Sequence, residues 1–537
     1  MITPRIGLAG EVFGLRQLAA GLALPDCSAP EALLAAGWRR WGPALFERLD
    51  GPFAMALDLG GETVLYRDSS GLHPLFWQRG AAGAPHGATR LRDLLPTGAP
   101  LHIDRAGLHE YLRLLDIAAP ATIAHGVHAL LPGRCLHWPR DSGEPREHRV
   151  GAGLRPDVHP LTFDDAVQAL DDRLRQGVAT CLEGAQRPAA FLSGGIDSSL
   201  LCAVAAGLDR RLTAVTVGFE GAGFDEAPAA AAMARHLGIA HEVLRFGHDE
   251  MVDALSRLCA TMDQPMADPA TPATLLAFEH CARHFDVVLD GTGADEAVGA
   301  LPPRHARLAV GYGSLLPAGL RRPVVKAMRR APALARYTPL LDFEHPAEVL
   351  MRWKGFKRHE IEALCGEAVP LAHTRFHRVF EQHGRHAHLA RYSALIDTMP
   401  CDRLAQALAA STARVRFPFA MRAVDGLLRS LAPEWHHRPG RPKRVLRRAL
   451  ARHAPPELWD RPKQGFTFPL EAFLRAKGHA LVRHHLDPGR WRRGGLLRSD
   501  EVQRYAQAFI DGEGALAFRV WALVVMDCWL SHRGLQH

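Results

Sequence analysis

Phe191-Leu192-Ser193-Gly194-Gly195-Ile196-Asp197-Ser198-Ser199 is an apolar run that breaks into a serine- and glycine-rich turn and continues as Leu200-Leu201-Cys202-Ala203-Val204-Ala205. This order predicts a strand, a turn and the start of a helix. Two adjacent glycines let the backbone approach an anion with no Cβ between, and the unpaired N–H groups at a helix N-terminus carry partial positive charge. Phosphate is the expected cargo. Ser193, Ser198 and Ser199 add hydroxyl donors. Asp197 would repel such a ligand unless a cation came with it, so it is read as an oxygen ligand for Mg2+ that arrives with the phosphates. Most Gly-Gly turns only cap a helix. Two commoner phosphate loops are excluded, because no Gly-Lys-Ser/Thr follows and the G-x-G-x-x-G spacing is absent.

Working outward, Leu212-Thr-Ala-Val-Thr-Val-Gly-Phe219 reads as a second strand, followed by Phe224-Asp225-Glu226 and an Ala-rich helix that ends at His236-Leu-Gly238. Strand, helix, strand, helix predicts a parallel sheet with its ligand at the carboxyl ends of the strands. A third buried strand, Val287-Val-Leu-Asp290, breaks into Gly291-Thr292-Gly293-Ala294-Asp295-Glu296. Two such loops on one sheet form a clamp, in which Asp295 supplies a second carboxylate to join Asp197 around Mg2+ and neutralise a departing pyrophosphate.

The 537 residues suffice for two or three domains, and 47% hydrophobic with 23% charged residues is ordinary globular composition. A net charge of +8 with no long basic run gives nucleic acid little support as a partner. Nine cysteines without a C-x-x-C pair argue against a disulfide framework or zinc site. The start Met1-Ile-Thr-Pro-Arg has no signal-peptide profile and apolar stretches fall short of a membrane span, so a cytoplasmic protein is expected.

The N-terminal part alternates short β-rich runs with Gly/Pro turns, for instance Pro52-Phe-Ala-Met-Ala-Leu-Asp-Leu, Gly60-Gly61 and Glu62-Thr-Val-Leu-Tyr-Arg. Leu45-Phe-Glu-Arg-Leu-Asp-Gly-Pro-Phe and Arg67-Asp-Ser-Ser-Gly-Leu-His-Pro resemble the glutaminase domain of asparagine synthetases, and Ser193–Ser199 with Asp290–Glu296 resembles their ATP-pyrophosphatase loops. The resemblance implies an α/β fold. A degenerate, β-rich Ntn-hydrolase (glutaminase-like) domain over 1–152 precedes an ATP-pyrophosphatase domain with a parallel sheet and a helical C-terminal half over 153–537. It also implies ATP and Mg2+ as cofactors. Leu192 and Val217 are expected to flank adenine and ribose, with Gly218, Asp290 and Gly291 nearby.

Departures from that family carry as much information. Its members begin with a cysteine nucleophile, whereas the comparable stretch here is Ile6-Gly7-Leu8-Ala9-Gly10, and isoleucine has no lone pair with which to attack an amide. The family's glutamate after the third strand is Thr292 here, which cannot act as a carboxylate base. Arg414-Val-Arg416-Phe-Pro-Phe419 resembles the family's Glu-Val-Arg-x-Pro-Phe, but Arg414 and Met421 stand where two acids would be. Lys443-Arg-Val-Leu-Arg447 and Asp460-Arg-Pro-Lys463-Gln-Gly465-Phe466 keep the family's two lysines. By resemblance Lys463 stabilises charge on the α-phosphate, and Lys443 is a pyrophosphate contact or a surface residue. From about Ala300 to Ala390, Arg-rich helices with Pro breaks match nothing specific.

The expected reaction is carboxylate adenylation followed by amide formation, with AMP and pyrophosphate released and general-base help from water or substrate. The favoured reading resembles the lasso-peptide macrolactam synthetases of this superfamily. Its substrate is a precursor peptide, joined from its N-terminal amine to an Asp or Glu side chain, and its partners are a leader peptidase and a leader-binding protein. An ammonia-dependent or β-lactam-synthetase-like enzyme acting on a small metabolite is the alternative, and an inactive binding scaffold the third.

Overall fold

The computed structural model describes residues 5–25, 29–80, 85–95, 101–139, 144–150, 161–218, 225–299, 304–313, 315–335, 337–350, 353–374, 377, 402–438, 441–461, 468–491 and 495–533. In the N-terminal part, strands β1 (Arg5–Gly10), β2 (Phe53–Asp58), β3 (Thr63–Arg67), β4 (Phe76–Arg79), β5 (Pro85–Ala88), β6 (His128–Ala129), β7 (Arg134–Trp138) and β8 (Arg146–Arg149) form two sheets. The larger is antiparallel in the order β1-β2-β3-β7-β8, and the smaller runs β5-β4-β6. Gly60 and Gly61, at φ 77° and 108°, close the β2–β3 hairpin, as a two-residue turn with both central residues left-handed requires.

Strand alternation sorts the side chains of β2 by size. Phe53, Met55 and Leu57 face helices α1 (Leu15–Leu22) and α2 (Pro30–Trp41), where Trp38 and Phe46 meet Tyr66. Ala54 and Ala56 point the other way, with Leu65, Leu136 and Trp138, toward the smaller sheet. Small residues on one face let the second sheet approach closely, while large ones on the other fill the space under the helices.

The second half is built on β9 (Pro188–Phe191), β10 (Thr213–Gly218), β11 (Ala240–Arg245), β12 (Val287–Leu289) and β13 (Val415–Arg416). All five are parallel, in the order β11-β10-β9-β12-β13. The order in which strands are added reverses between β9 and β12, and in open α/β sheets a crevice opens at that point beyond the carboxyl ends. Both glycine-rich loops leave the sheet there.

The N-terminal part also contributes helix α3 (Arg105–Leu114). Helix α4 (Phe163–Leu182), capped by Thr162, whose side chain accepts from the Asp165 N–H, packs on α5 (Ile196–Leu208) and on the helices Arg422–Ser430 and Arg444–Leu450 through a core that includes Ala166, Leu170, Leu174 and Val178 and also takes in α6 (Ala227–Leu237). On the opposite face of the sheet lie α7 (His248–Thr261) and α8 (Thr271–His284), packed with the C-terminal helix Ala517–His532.

The segment Gly514–His532 is long and apolar enough to cross a membrane, in contrast to the expectation that apolar stretches fall short of a span. Its surface is core: Trp521 through Leu530 are buried, and fully buried Asp527 is paired with His485 Nδ1 at 2.7 Å and Arg490 Nη2 at 2.9 Å. A paired carboxylate at its centre suits a protein interior, whereas in a lipid-facing span the same charge is costly.

Polar contacts join the two halves. Glu11, just beyond β1, binds Arg414 Nη2 at 2.9 Å and Arg416 Nε at 2.7 Å, and these two cations hold its carboxyl below the ordinary range although burial pushes the other way. Arg90 Nε reaches Asp263 at 2.8 Å, the Arg422 N–H donates to Asp50 at 2.9 Å, and the Tyr111 hydroxyl donates to the Ala522 carbonyl at 2.7 Å.

Candidate active site

At the end of β9, Gly194 adopts φ +68°, and a Cβ on it would stand 2.8 Å from Arg461 Nη2 and 3.1 Å from Ala229 Cβ. The turn therefore needs glycine twice over, for its left-handed backbone and for the close approach of α6. The Ser193 N–H donates to Ser198 Oγ at 3.1 Å, the two hydroxyls lie 3.0 Å apart, and the Gly195 N–H donates to Ser193 Oγ at 3.3 Å. These bonds brace the turn around the N-terminus of α5.

The β12 loop is braced in the same manner. Asp290 Oδ1 accepts from the Thr292 N–H at 2.8 Å, and Glu296 reaches back to the Gly293 N–H at 2.8 Å. Gly293 has φ +106°, and a Cβ there would lie 2.8 Å from the Ala420 nitrogen. The loops abut, since a Cβ on Gly291 would sit 3.5 Å from the Ser198 nitrogen.

Between them lies a cavity of about 340 Å3. Phe191, Val215, Val217, Ala277 and Phe278 make an apolar side that a planar base could occupy, with the two phenyl rings 5.8 Å apart. The opposite side carries Ser193, Gly195, Asp197, Ser198, Asp290, Gly291, Thr292, Asp295 and Glu296, with Glu226 and Arg403 at its rim.

Lys443 is not itself a lining residue but is bonded to two that are, Asp197 and Asp295. It precedes the helix Arg444–Leu450 in a left-handed conformation, φ +56°, and its side chain is only 8% exposed. Its ammonium donates to Asp197 Oδ2 and, at 2.6 Å, to Asp295 Oδ1. Burial alone would lower its pKa, but the two carboxylates outweigh burial and raise it, so the lysine stays charged throughout the neutral range.

Two carboxylates that converge on one cationic atom also reach one point in space. A divalent cation held there by one oxygen from each, and completed by phosphate oxygens and water, has the hard-oxygen donor set that Mg2+ prefers. Among the described residues no group of three or more His, Cys, Asp or Glu forms a closed metal cage. The pair therefore suits an ion that arrives with its ligand.

Several expected site residues sit elsewhere. Ser199 is fully buried and not among the lining residues, because one step along a helix turns a side chain about 100° from Ser198, so its hydroxyl is not presented to the cavity. Leu192 touches the cavity but is 1% exposed, its N–H bound to the Val215 carbonyl at 2.9 Å and its carbonyl to the Thr216 hydroxyl. Gly218 lies beside Asp225 and Arg245, and it and Gly194 are not among the lining residues. Lys443, expected as a pyrophosphate contact or a surface residue, is buried and not among the lining residues, and it links the two loops through Asp197 and Asp295. Lys463 lies outside the described residues.

Among the lining or bracing groups that went unassigned in the sequence, three are charged residues outside the two glycine-rich loops. Arg461, within the quoted Asp460-Arg-Pro stretch, donates to the Gly194 carbonyl at 3.2 Å. Glu226 titrates at about 7, because burial raises it and Asp225 adds to the rise while Arg461 opposes it. Arg403 comes from the segment after the Arg-rich middle, where nothing in its neighbours signals a site.

Residues 169–531 match the protein family described as asparagine synthase, and residues 5–149 the one described as glutamine amidotransferase domain. The chain is similar to a putative glutamine-hydrolyzing asparagine synthetase of Mycobacterium tuberculosis, 29% identical over 523 residues that cover 93% of this chain and 79% of that protein. It is 24% identical to glutamine-hydrolyzing asparagine synthetase 1 of Bacillus subtilis, over 97% of this chain and 84% of that one. A carboxyethyl-arginine beta-lactam-synthase of Streptomyces clavuligerus is 28% identical over 55% of each chain.

Proposed function

This chain belongs to the asparagine synthase family of ATP-dependent amide-forming ligases, and from that premise we propose that it closes an amide within a peptide, as a macrolactam synthetase. A side-chain carboxylate of the substrate attacks the α-phosphorus of ATP, the bond to the β-phosphate breaks and pyrophosphate leaves. The peptide's N-terminal amine then adds to the acyl carbon, and AMP departs with the former carboxylate oxygen.

The observation that carries the reading is the convergence of Asp197, Asp295 and Lys443 between two glycine-rich loops. Asp197 and Asp295 would hold Mg2+, which supplies charge neutralisation for the phosphate oxygens. The Ser193, Gly195 and Ser198 donors bind and orient the pyrophosphate end, while Phe191, Val217 and Phe278 exclude water around the base. Lys443, tethered by both carboxylates, is positioned to follow the charge as it moves onto pyrophosphate. Lys463 is proposed to stabilise the α-phosphate.

A peptide substrate is supported by what differs from an ammonia-channelling enzyme. No cysteine stands in Ile6–Gly10, Glu11 beyond it is engaged by Arg414 and Arg416, and Thr292 replaces a carboxylate base. A leader peptidase and leader-binding protein are the proposed partners. Likeness to the beta-lactam-synthase favours a second reading, an intramolecular amide synthetase acting on a small metabolite.

The test incubates the protein with ATP, Mg2+, a leader peptidase and a candidate precursor peptide encoded beside it. The peptide reading expects a product one water lighter together with AMP and pyrophosphate; efficient conversion of free aspartate and ammonia to asparagine, or ADP as the nucleotide product, overturns it. Lys463→Ala is expected to keep ATP binding and lose product, and undiminished turnover removes Lys463 from the reaction.

A further inference from the structure

No residue from 297 to 341 is Asp or Glu, while eight are Lys or Arg. The chain has 65 Lys and Arg against 57 Asp and Glu, so this one stretch accounts for its whole net charge of +8 and the remainder is balanced. The positive charge is therefore local, in contrast to the even spread that composition suggests.

The same stretch concentrates exposed apolar surface. Of the eleven large hydrophobic side chains exposed among the described residues, eight lie between Leu308 and Tyr337. Leu308 and Tyr312, four residues apart on the helix Arg304–Gly313, continue through Leu315 and Leu316 to Leu320 and Val324 on the helix Ala318–Arg329. Lys326 and Arg330 are exposed beside them.

The inner face of the second helix is anchored, which keeps this ridge outward. Val325 is buried, and the Arg321 guanidinium lies 3.9 Å over the Phe343 ring. The outer side chains protrude: Tyr312 is 71% and Leu315 78% exposed. Exposed apolar side chains concentrated in one short stretch mark an interaction site, and apolar residues interleaved with Lys and Arg suit the boundary between headgroups and acyl chains. Nucleic acid would use the cations but not the leucines, and a protein groove would have to provide a pocket for each projecting side chain. A fluid, anionic bilayer accepts both without shaped pockets.

We propose that the ridge Leu308–Arg330 docks this ligase on an anionic membrane surface, with Leu315, Leu316 and Leu320 entering the acyl boundary and the basic side chains on the headgroups. The attachment is peripheral and independent of which substrate the active site takes.

The test is co-sedimentation of the full chain with phosphatidylcholine vesicles, with and without one-third phosphatidylglycerol, at low and high salt. Binding is expected only to the anionic vesicles and to weaken with salt. The Lys326→Glu/Arg330→Glu variant is expected to bind roughly tenfold more weakly or worse, and Leu315→Ser/Leu316→Ser/Leu320→Ser to lose binding, each with ATP–pyrophosphate exchange and melting temperature unchanged. Failure to bind anionic vesicles, equal binding to neutral ones, or full binding by the folded triple-serine variant overturns the proposal. So does a dimer in sedimentation velocity that the triple-serine change dissolves, which would assign the ridge to a second copy of the chain.

Discussion

The ends of β1 and β9 are both strand-to-glycine turns, yet they are put to different use. Beyond β1, Gly10 at φ +89° leads to Glu11, whose carboxylate is held by Arg414 and Arg416 of the other half. Beyond β9, Ser193, Asp197 and Ser198 are braced by neighbours while still lining a cavity. Polar groups of the N-terminal domain hold the two halves together; those at the parallel sheet's carboxyl ends are held in place and remain presented to a ligand. Glu11, Arg414 and Arg416 also line a cavity, of about 470 Å3, so what separates the two turns is the partners of their polar groups: the opposite half of the molecule at β1, and neighbours in the same pair of loops at β9.

Substitutions can break this contrast. The largest effect is expected at Asp197→Asn, which leaves the turn's shape but removes one of two converging charges, and ATP–pyrophosphate exchange should fall about 10²–10³-fold. Exchange within a few-fold of wild type would show that the β9 loop is as architectural as the β1 turn. Lys443→Met leaves two carboxylates facing each other, and thermal or urea unfolding should show a loss of about 3 kcal/mol, toward the low end for a broken buried pair because both partners are partly exposed. Added Mg2+ should recover more of that loss than it adds to the wild type; an absence of Mg2+-dependent recovery would argue that the pair holds only lysine. The folded pKa of Lys443 is raised, so its contribution is complete below the ordinary lysine value and should not vary between pH 6 and 9.

At the other turn, Glu11→Ala strands the buried Arg416 guanidinium and should cost about 2 kcal/mol in denaturant unfolding, with exchange changed less than about twofold because no group lining the cavity between the two glycine-rich loops is touched. A hundredfold loss of exchange at unchanged stability would instead give the β1 turn a part in the reaction. The smallest effect concerns Glu226. Its folded pKa, about 7, lies above its ordinary value, so the folded state holds that proton more tightly and loses this advantage as pH rises toward 7. Above that pH a carboxylate faces the site of a triphosphate, so ATP KM should rise a few-fold from pH 6 to 8, and Glu226→Gln should flatten the rise. A profile unchanged by the substitution would remove Glu226 from nucleotide binding.

Much of the candidate site's geometry was readable because glycine-rich loops between a strand and a helix are local devices. Glycine pairs, a following helix start and carboxylates at short spacing lie within single stretches, and 192–199 and 290–296 announce themselves in that way. Ser199 was misread because residue type does not disclose which way a helix turns a side chain, and one position decided between cavity and core. Arg461 and Arg403 went unassigned because their relation to the loops spans hundreds of residues. The 297–341 ridge was visible as composition, but only burial separated Arg321 and Val325, which face inward, from Leu320 and Val324, which do not.

By itself the sequence determined the class of fold, the two glycine-rich loops, the carboxylates that accompany them and the absence of a nucleophile in Ile6–Gly10, because each depends on residue type and near-neighbour order. Only the tertiary structure decided that Lys443 ties Asp197 to Asp295, that Glu11 anchors one half to the other, and that Leu315, Leu320, Lys326 and Arg330 face solvent. Those are contacts between distant segments, set by strand order and helix packing, and side-chain chemistry read along a chain has no access to either.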